Sequence, residues 1–427
     1  LPYWEYSNYQ YLRYDLSTHI ALFDFQINEN GGIIFEQNIL PYWQNVINNA
    51  HINGIKVLMT VTNFDSMQIN KIINTESVRN IFFHNVKNII NQYNLDGIIV
   101  DFEGPKISDR GEPMNDFISG LSSFIKNEKP NAEIAFATPA VNWGGWWDFY
   151  GLAQNCDYLF LMGYDYYGNW SEITGPTSPL NGDLQNLERS VDFHYSNVVN
   201  NFPEKLILGI PYYGLHFKAE NQNVGSQKVD TVLSPLYRQS IEVYNQHSKY
   251  WVNSFNVPYT FWQEGNVWNQ YFVDDDSSLS LKYDLAISRN LKGVGIWALG
   301  YDGQHPELWN LLEKKFETTV SIADEKTILS ADFILKQNYP NPFNPETKIE
   351  FFLKVPAEIK LQIFNVLGEI VKSFKKNVSN PGRHYLVWNG RNFNDKNVPS
   401  GVYFYSMIIK QNSGQISSAS KKMLLIK

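Results

Sequence analysis

Between residue 19 and about residue 300, short apolar runs alternate with amphipathic or polar stretches. The runs cover 19–25, 56–61, 97–102, 134–138, 158–164, 206–211 and 293–299. Each has the length of a buried strand, and the stretches between them carry helical spacing, the pattern of repeated βα units. In 77–93, Val78, Ile81, Phe82, Val86, Ile89 and Ile90 fall on one face and predict a helix. Residues 183–199 predict another. Seven strands are one short of a (β/α)₈ TIM barrel, whose parallel strands are buried on both faces. Leu1-Pro-Tyr-Trp4 is a candidate for the end of the missing first strand, so that the sequence starts inside or just after it. The alternative is an open doubly wound sheet, but no Gly-rich phosphate turn follows an early strand.

Two regions depart from this rhythm. The interval 214–292 has a helix-like piece at 234–247 and then Trp251, Pro258-Tyr-Thr-Phe-Trp262 and Trp268 among polar residues. It is too long for a plain connection, so a small α+β insertion is expected at about 215–292, beside the barrel opening. After a barrel of residues 1–316, the stretch 317–331 is polar and weakly patterned, as in a linker. Residues 332–427 then carry strand-like runs at 348–353, 359–365, 384–388 and 402–409, parted by Pro- and Gly-rich breaks. Runs at this spacing predict an Ig-like β-sandwich.

Composition narrows the function classes. Of the 427 residues 43% are apolar and 18% charged, which describes a globular chain. The formal net charge is −8 with no basic run, so no nucleic-acid partner is expected. No stretch approaches the roughly 18 uncharged apolar residues that span a bilayer. The opening residues lack the basic start and apolar middle of a signal peptide, which leaves a cytosolic chain or one already processed. The single cysteine, Cys156, rules out an intrachain disulfide and reads as a packing residue beside a strand. Aromatic residues make up 15% and include 12 tryptophans. Flat rings suit sugar stacking, although an AT-rich genome also raises Phe and Tyr.

Candidate chemistry concentrates in Asn94-Leu-Asp-Gly-Ile-Ile-Val-Asp-Phe-Glu-Gly-Pro105. Strand alternation puts Ile99, Asp101 and Glu103 on one face and Ile98, Val100 and Phe102 on the other. The second set packs on helices, so Asp101 and Glu103 point inward at the strand's C-terminal end, where barrel enzymes keep their chemistry. Two close carboxylates raise each other's pKa, which suits one of them for general-acid work. A plain strand-end acid pair, solvated or holding a metal, is the competing reading. No metal cluster, nucleotide loop or nucleophilic Ser or Cys arrangement stands out elsewhere.

The segment resembles the fourth-strand signature of glycoside hydrolase family 18, Asp-x-x-Asp-x-Asp-x-Glu, with Asp96, Asp101 and Glu103 in the first, third and fourth places and Ile99 in the second. Three further family patterns follow in order: Met162-Gly-Tyr164-Asp165, Leu208-Gly-Ile-Pro-Tyr-Tyr213-Gly214, and Trp297 in Gly293-Val-Gly-Ile-Trp297. The resemblance implies a retaining glycosidase, chitinase-like, whose substrate supplies its own N-acetyl group as nucleophile. It assigns Glu103 as general acid and then base, Asp101 to the acetamide N–H, Tyr164 to the acetamide oxygen, and Asp165 to ordering that neighbourhood. Trp297 would lie under the reacting sugar. Asp96, Met162, Tyr213 and Trp143 are further substrate-binding candidates; of Trp143, Trp146 and Trp147, the sequence does not say which reaches the opening. No cofactor is implied.

Ile99 departs from the pattern. In many members an aspartate there shares a proton with the next one, so Ile99 leaves Asp101 with fewer partners and is read as tuning rate or pH profile. Residues 332–427 resemble the C-terminal sorting domain of type IX secretion, through Asn338-Tyr-Pro-Asn-Pro-Phe-Asn-Pro345, Ile363-Phe-Asn-Val-Leu-Gly368, Pro399-Ser-Gly-Val-Tyr-Phe404 and Lys421-Lys-Met-Leu-Leu-Ile-Lys427. That implies a secreted or cell-surface protein, the type IX machinery as a partner, and a signal peptide already removed. A sandwich that binds polysaccharide or packs on the barrel is the alternative. The expected protein is a monomer acting on an N-acetylglucosamine-containing polysaccharide or glycan. Chitin is the first substrate, N-glycan or peptidoglycan the second, and a catalytically weak glycan-binding protein is the reading from another class.

Overall fold

The computed structural model describes residues 1–35, 40–182, 185–317, 333–335, 338, 340–353, 355–411 and 416–426. They form two compact units, Leu1–Lys315 and Phe316–Lys427. The expected linker at 317–331 lies, Glu317 apart, outside the described residues.

The first unit is a curled, mostly parallel sheet. Its strands are β1 (His19–Ile27), the short β2 (Ile33–Ile34), β3 (Lys56–Asn63), β4 (Gly97–Phe102), β5 (Glu133–Pro139), β6 (Tyr158–Met162) and β7 (Leu206–Pro211). Four strands of an insertion follow, β8 (Leu215–Ala219), β9 (Tyr250–Val252), β10 (Val257–Glu264) and β11 (Val267–Phe272), and then β12 (Gly293–Trp297) returns to the sheet. The order is β12-β7-β6-β5-β4-β3-β1-β2, with only β2 antiparallel. Leu1 and Pro2 take the place beside β1: Pro2 bridges Phe23 in parallel, and the Leu1 amine donates to Ala21 O at 2.7 Å. Trp4 then donates from Nε1 to Tyr301 Oη at 3.2 Å, past the end of β12.

Strand alternation decides what each face of β4 does. Ile98, Val100 and Phe102 are 2% exposed or less and pack outward. Phe102 lies 5.8 Å from Phe117 of the helix Glu112–Lys126, which stacks on Phe82 of the helix Glu76–Gln92. Burying each such ring contributes roughly 1.5–3 kcal/mol. Ile99 faces the barrel interior with Leu58, Ala135, Tyr158 and Ile207. Phe160 fills the space left by two glycines: a Cβ at Gly209 or Gly295 would lie 2.6 or 2.3 Å from its ring.

The insertion is a four-stranded antiparallel sheet, β8-β11-β10-β9, around Leu215, Phe217, Val257, Tyr259 and Phe272, with the helix Tyr237–Gln246. It ends earlier than the expected residue 292. Asp276–Ser288 is a barrel helix that packs on β12, opened by a capping box in which the Asp275 side chain accepts from Ser277 N and Ser278 N. The helix expected over 183–199 is also shorter and broken. It starts at Leu187, capped by Asn186, and passes through a wider turn at Ser190–His194 before Ser196–Asn201; Asp183 lies outside the described residues.

The second unit has two antiparallel sheets. One orders β13 (Phe333–Leu335), β14 (Thr347–Leu353) and β17 (Gly382–Trp388). The other orders β16 (Ile370–Val378), β15 (Ala357–Phe364), β18 (Gly401–Gln411) and β19 (Ile416–Leu425). Alternate residues of β15 are buried, and Ile359, Leu361, Ile363, Trp388, Tyr405 and Met407 share one core. Strands β13, β16 and β19 were not read from the sequence. No helix among the described residues is long and apolar enough to cross a membrane.

Candidate active site

A cavity of about 1050 Å³ opens at the C-terminal ends of the parallel strands. Asp101 from β4, Glu103 directly past its end, Met162, Tyr164 and Asp165 from the end of β6, Phe23 from β1 and Trp297 from β12 all line it. The rings of Phe23 and Trp297 meet edge to face at 4.7 Å and close one wall.

The two carboxylates sit in different surroundings. Asp101 is 7% exposed, and its buried Oδ1 has no hydrogen-bond partner among the described residues. Burial pushes its pKa well up, helped by the charge of Glu103 and then of Asp24. Glu103 opens onto the cavity, and Gly104 turns the chain away behind it at φ 69°. The cavity walls thin the water around Glu103, and with the Asp165 charge they raise its pKa. Such a carboxyl holds a proton closer to neutral pH than a free glutamate does, the property a general acid needs.

Asp165 is held in place. Its backbone is left-handed (φ 61°), and its Oδ1 accepts from Tyr213 Oη at 2.6 Å and from Thr177 Oγ1 at 3.2 Å. Its own N–H donates back to Thr177 Oγ1 at 3.1 Å. Tyr164 is half-buried beside the acids, and its hydroxyl pKa is pushed well up, from desolvation first and then from the charges of Asp101, Asp165 and Glu103. It is a donor ready for an oxygen in the cavity. Among the described residues no group of three or more His, Cys, Asp or Glu could hold a metal ion.

Residues 1–302 match the glycosyl hydrolases family 18, and residues 338–424 match the CHU_C type IX secretion signal domain. The chain belongs to glycosyl hydrolase family 18. A family 18 chitinase of Cycas revoluta, solved with (GlcNAc)3, superposes with a TM-score of 0.67 at 18% identity, covering 74% of this chain and 98% of that one. The Group IV chitinase of Ostrinia furnacalis gives 0.65 at 22%, covering 72% and 93%. By sequence, the oviduct-specific glycoprotein of Ovis aries is 26% identical over 321 residues, 67% of this chain and 58% of its own. The cortical fragment-lytic enzyme of Bacillus subtilis is 22% identical over 313 residues, 70% and 68% of the two chains. The chain thus spans little more than half the length of the sheep relative. Family and fold place residues 1–302 among the family 18 barrels, and the second unit carries a match to a type IX secretion signal domain.

Within this family 18 barrel, Asp101, Glu103, Met162, Tyr164, Asp165, Trp143 and Trp297 all reach the cavity. Trp143 is the tryptophan at the opening; Trp146 is exposed, and Trp147 is buried on Phe136 and Phe149. Two expectations are corrected. Asp96 precedes β4, so it sits at the opposite end of the barrel, where Oδ2 accepts from Val57 N and meets His51 Nε2, each at 2.8 Å. Tyr213 is not on the cavity wall; it stands behind Asp165 and orients it. Cys156 is buried, and desolvation pushes its thiol pKa far up, which makes it inert packing.

The sequence reading missed Trp170, Glu172 and Gln185, which line the cavity from the long connection after β6, and Arg189, which lines it from the short helix that follows. Their one signal was the length of that connection, with Trp170 five residues past Asp165. It also missed Asp24, a buried acid on β1, because a lone aspartate within an apolar run has no periodic signature.

Proposed function

We propose that the protein is a secreted hydrolase that cleaves β-1,4 bonds next to N-acetylglucosamine, in chitin or chitin-like glycans, by substrate-assisted retaining catalysis. The observation that carries this reading is the convergence of Glu103, Asp101 and Tyr164 on one cavity, while Asp165 is occupied by Tyr213 and Thr177. Glu103, kept protonated, gives its proton to the leaving glycosidic oxygen and then takes one from the incoming water. Asp101 accepts the acetamide N–H, and Tyr164 donates to the acetamide oxygen as it attacks the anomeric carbon. Trp297 lies under the sugar ring. Acetamide and water displace at the same carbon in succession, so the configuration is retained. This chemistry calls for no cofactor. The type IX signal domain supports delivery to the outside or the cell surface through that machinery.

Peptidoglycan is the second reading. It is favoured by Arg189, exposed on the cavity wall with no ion pair among the described residues and suited to a carboxylate-bearing sugar. Products from chitin oligomers, N-glycans and muropeptides separate the substrates. The mechanism is tested by NMR of the first-formed anomer beside kinetics of Tyr164→Phe, expected to lower turnover about 10²–10³-fold with little change in binding. Inverted product, or equal cleavage of unacetylated polymer, overturns the mechanism.

A further inference from the structure

Asp24 is 8% exposed and sits inside the barrel on β1. The ladder between β1 and β3 slips between Leu22 and Phe25, so regular alternation is suspended there. Phe23 reaches the cavity, and the next side chain, Asp24, accepts at Oδ2 from Thr62 Oγ1 at 2.7 Å. Thr62 lies opposite Asp101 in the β3–β4 register, and side chains paired in a parallel ladder share a face. Three neighbouring strands thus present Asp24, Thr62 and Asp101 as one inward row. Ile99, which shares its strand face with Asp101, is wholly apolar and packs in the barrel core.

We propose that Asp24 is a positioning residue that shares a single proton with Asp101, doing from the neighbouring strand what no side chain at Ile99 can do. The inference rests on the proposed role of Asp101 toward the acetamide. Two carboxylates in one water-poor row do not both ionise, so the pair keeps one proton and one negative charge across neutral pH. Thr62 donates to Asp24, which favours the charge there while the site is empty. Asp101 then carries the proton, consistent with its raised pKa. When an acetamide N–H arrives, the proton passes to Asp24 and the charge to Asp101, with nothing lost to solvent. The titratable groups facing this pair are Glu103 just past β4, Tyr164 and Asp165 beyond β6, and Tyr6 beside Asp24; no Lys, Arg or His is among those described.

The test reads aspartate ¹³Cγ resonances of the full-length, substrate-free protein from about pH 3 to 10, so that both steps of a pair singly protonated at neutral pH fall inside the range, assigned with Asp24→Asn and Asp101→Asn. In the wild type both carbons are expected to show the same two steps. Independent single-step titrations overturn the proposal, whether or not any variant folds. In Asp24→Asn the neighbouring charge is gone, so Asp101 is expected to lose its proton at lower pH. In the wild type Asp24 can return its proton to Asp101 as Glu103 ionises; without that donor the charge on Asp101 stays beside Glu103 and opposes its ionisation, lowering kcat about tenfold with KM nearly unchanged. Adding Ile99→Asp to Asp24→Asn returns a carboxylate to the row and restores both midpoint and kcat. An unmoved midpoint, or no rescue in a folded double variant, overturns the proposal. A wild type inactive on N-acetylated substrates overturns the functional reading instead and leaves the titration to judge the pair.

Discussion

Glu103 and Asp101 are two residues apart, yet the structure makes them different acids. Glu103→Gln keeps the shape but has no proton to deliver, so turnover is expected to fall at least about 10²–10⁴-fold while sugar binding persists. Retained hydrolysis in that variant would show that another group is the acid. Asp101 also leaves a mark on stability. Its folded pKa lies above the unfolded value, so the folded state holds the proton over a pH range where the unfolded chain has released it. Stability from this group is full below about pH 4 and is lost as pH rises toward the folded pKa. Asp101→Asn removes that loss. The variant is therefore expected to melt higher than wild type at pH 7, with the gap closing toward pH 4, and to be nearly inactive. Thermal melts at the two pH values check it; a gap that widens toward acid refutes the sign.

Strands and loops decide how well these residues are held. Tyr213, at the end of β7, ties Asp165 by a 2.6 Å bond to a left-handed backbone, so two elements meet in one carboxylate. Tyr213→Phe loses a hydrogen bond to a charged group, worth about 1.5–3 kcal/mol. Turnover is expected to fall about tenfold or more while the melting temperature drops by only several degrees, since the ring remains packed and the fold survives; a kcat assay at a temperature well below the melt separates the two. Gly97 shows the opposite dependence. It opens β4 so close to β5 that a Cβ would lie 2.0 Å from Glu133 O. Gly97→Ala is expected to cost at least about 1–3 kcal/mol, because the backbone must shift and carries Asp101 with it. Urea titration measures this, and an unchanged midpoint would mean the strand pair has slack the packing does not show.

The chain divides its charge unevenly. Residues 332–427 hold 14 lysines and arginines to six aspartates and glutamates, whereas residues 1–331 hold 21 to 37. The net −8 of the whole hides an acidic barrel and a basic second unit. The proposed linker at 317–331 makes this testable: limited proteolysis is expected to cut there and yield two folded fragments. At pH 7 the barrel fragment should bind an anion exchanger and the other a cation exchanger. The freed barrel should keep its glycosidase activity, and loss of activity would give the second unit a part in catalysis as well as in export.

The seven strands and the face of β4 that leads to Asp101 and Glu103 were legible in the chain because they follow from periodicity two, and the four ordered motifs because they resemble those of a known family. So was the β-rich character of 332–427. Asp96 was misplaced because a motif read along one strand does not say that its two ends lie at opposite ends of a barrel. Tyr213 was read as touching sugar because its motif ends at the opening, and only packing put Asp165 in front of it. The limits of the insertion were missed because the helix Asp276–Ser288, whose buried Lys282 pairs with Asp274 just ahead of it, has no clean apolar stripe. Asp24, Trp170 and Arg189 entered the site through contacts between residues far apart in sequence. Local pattern specifies which face a residue takes on its own element, and closure of the sheet alone decides which faces meet.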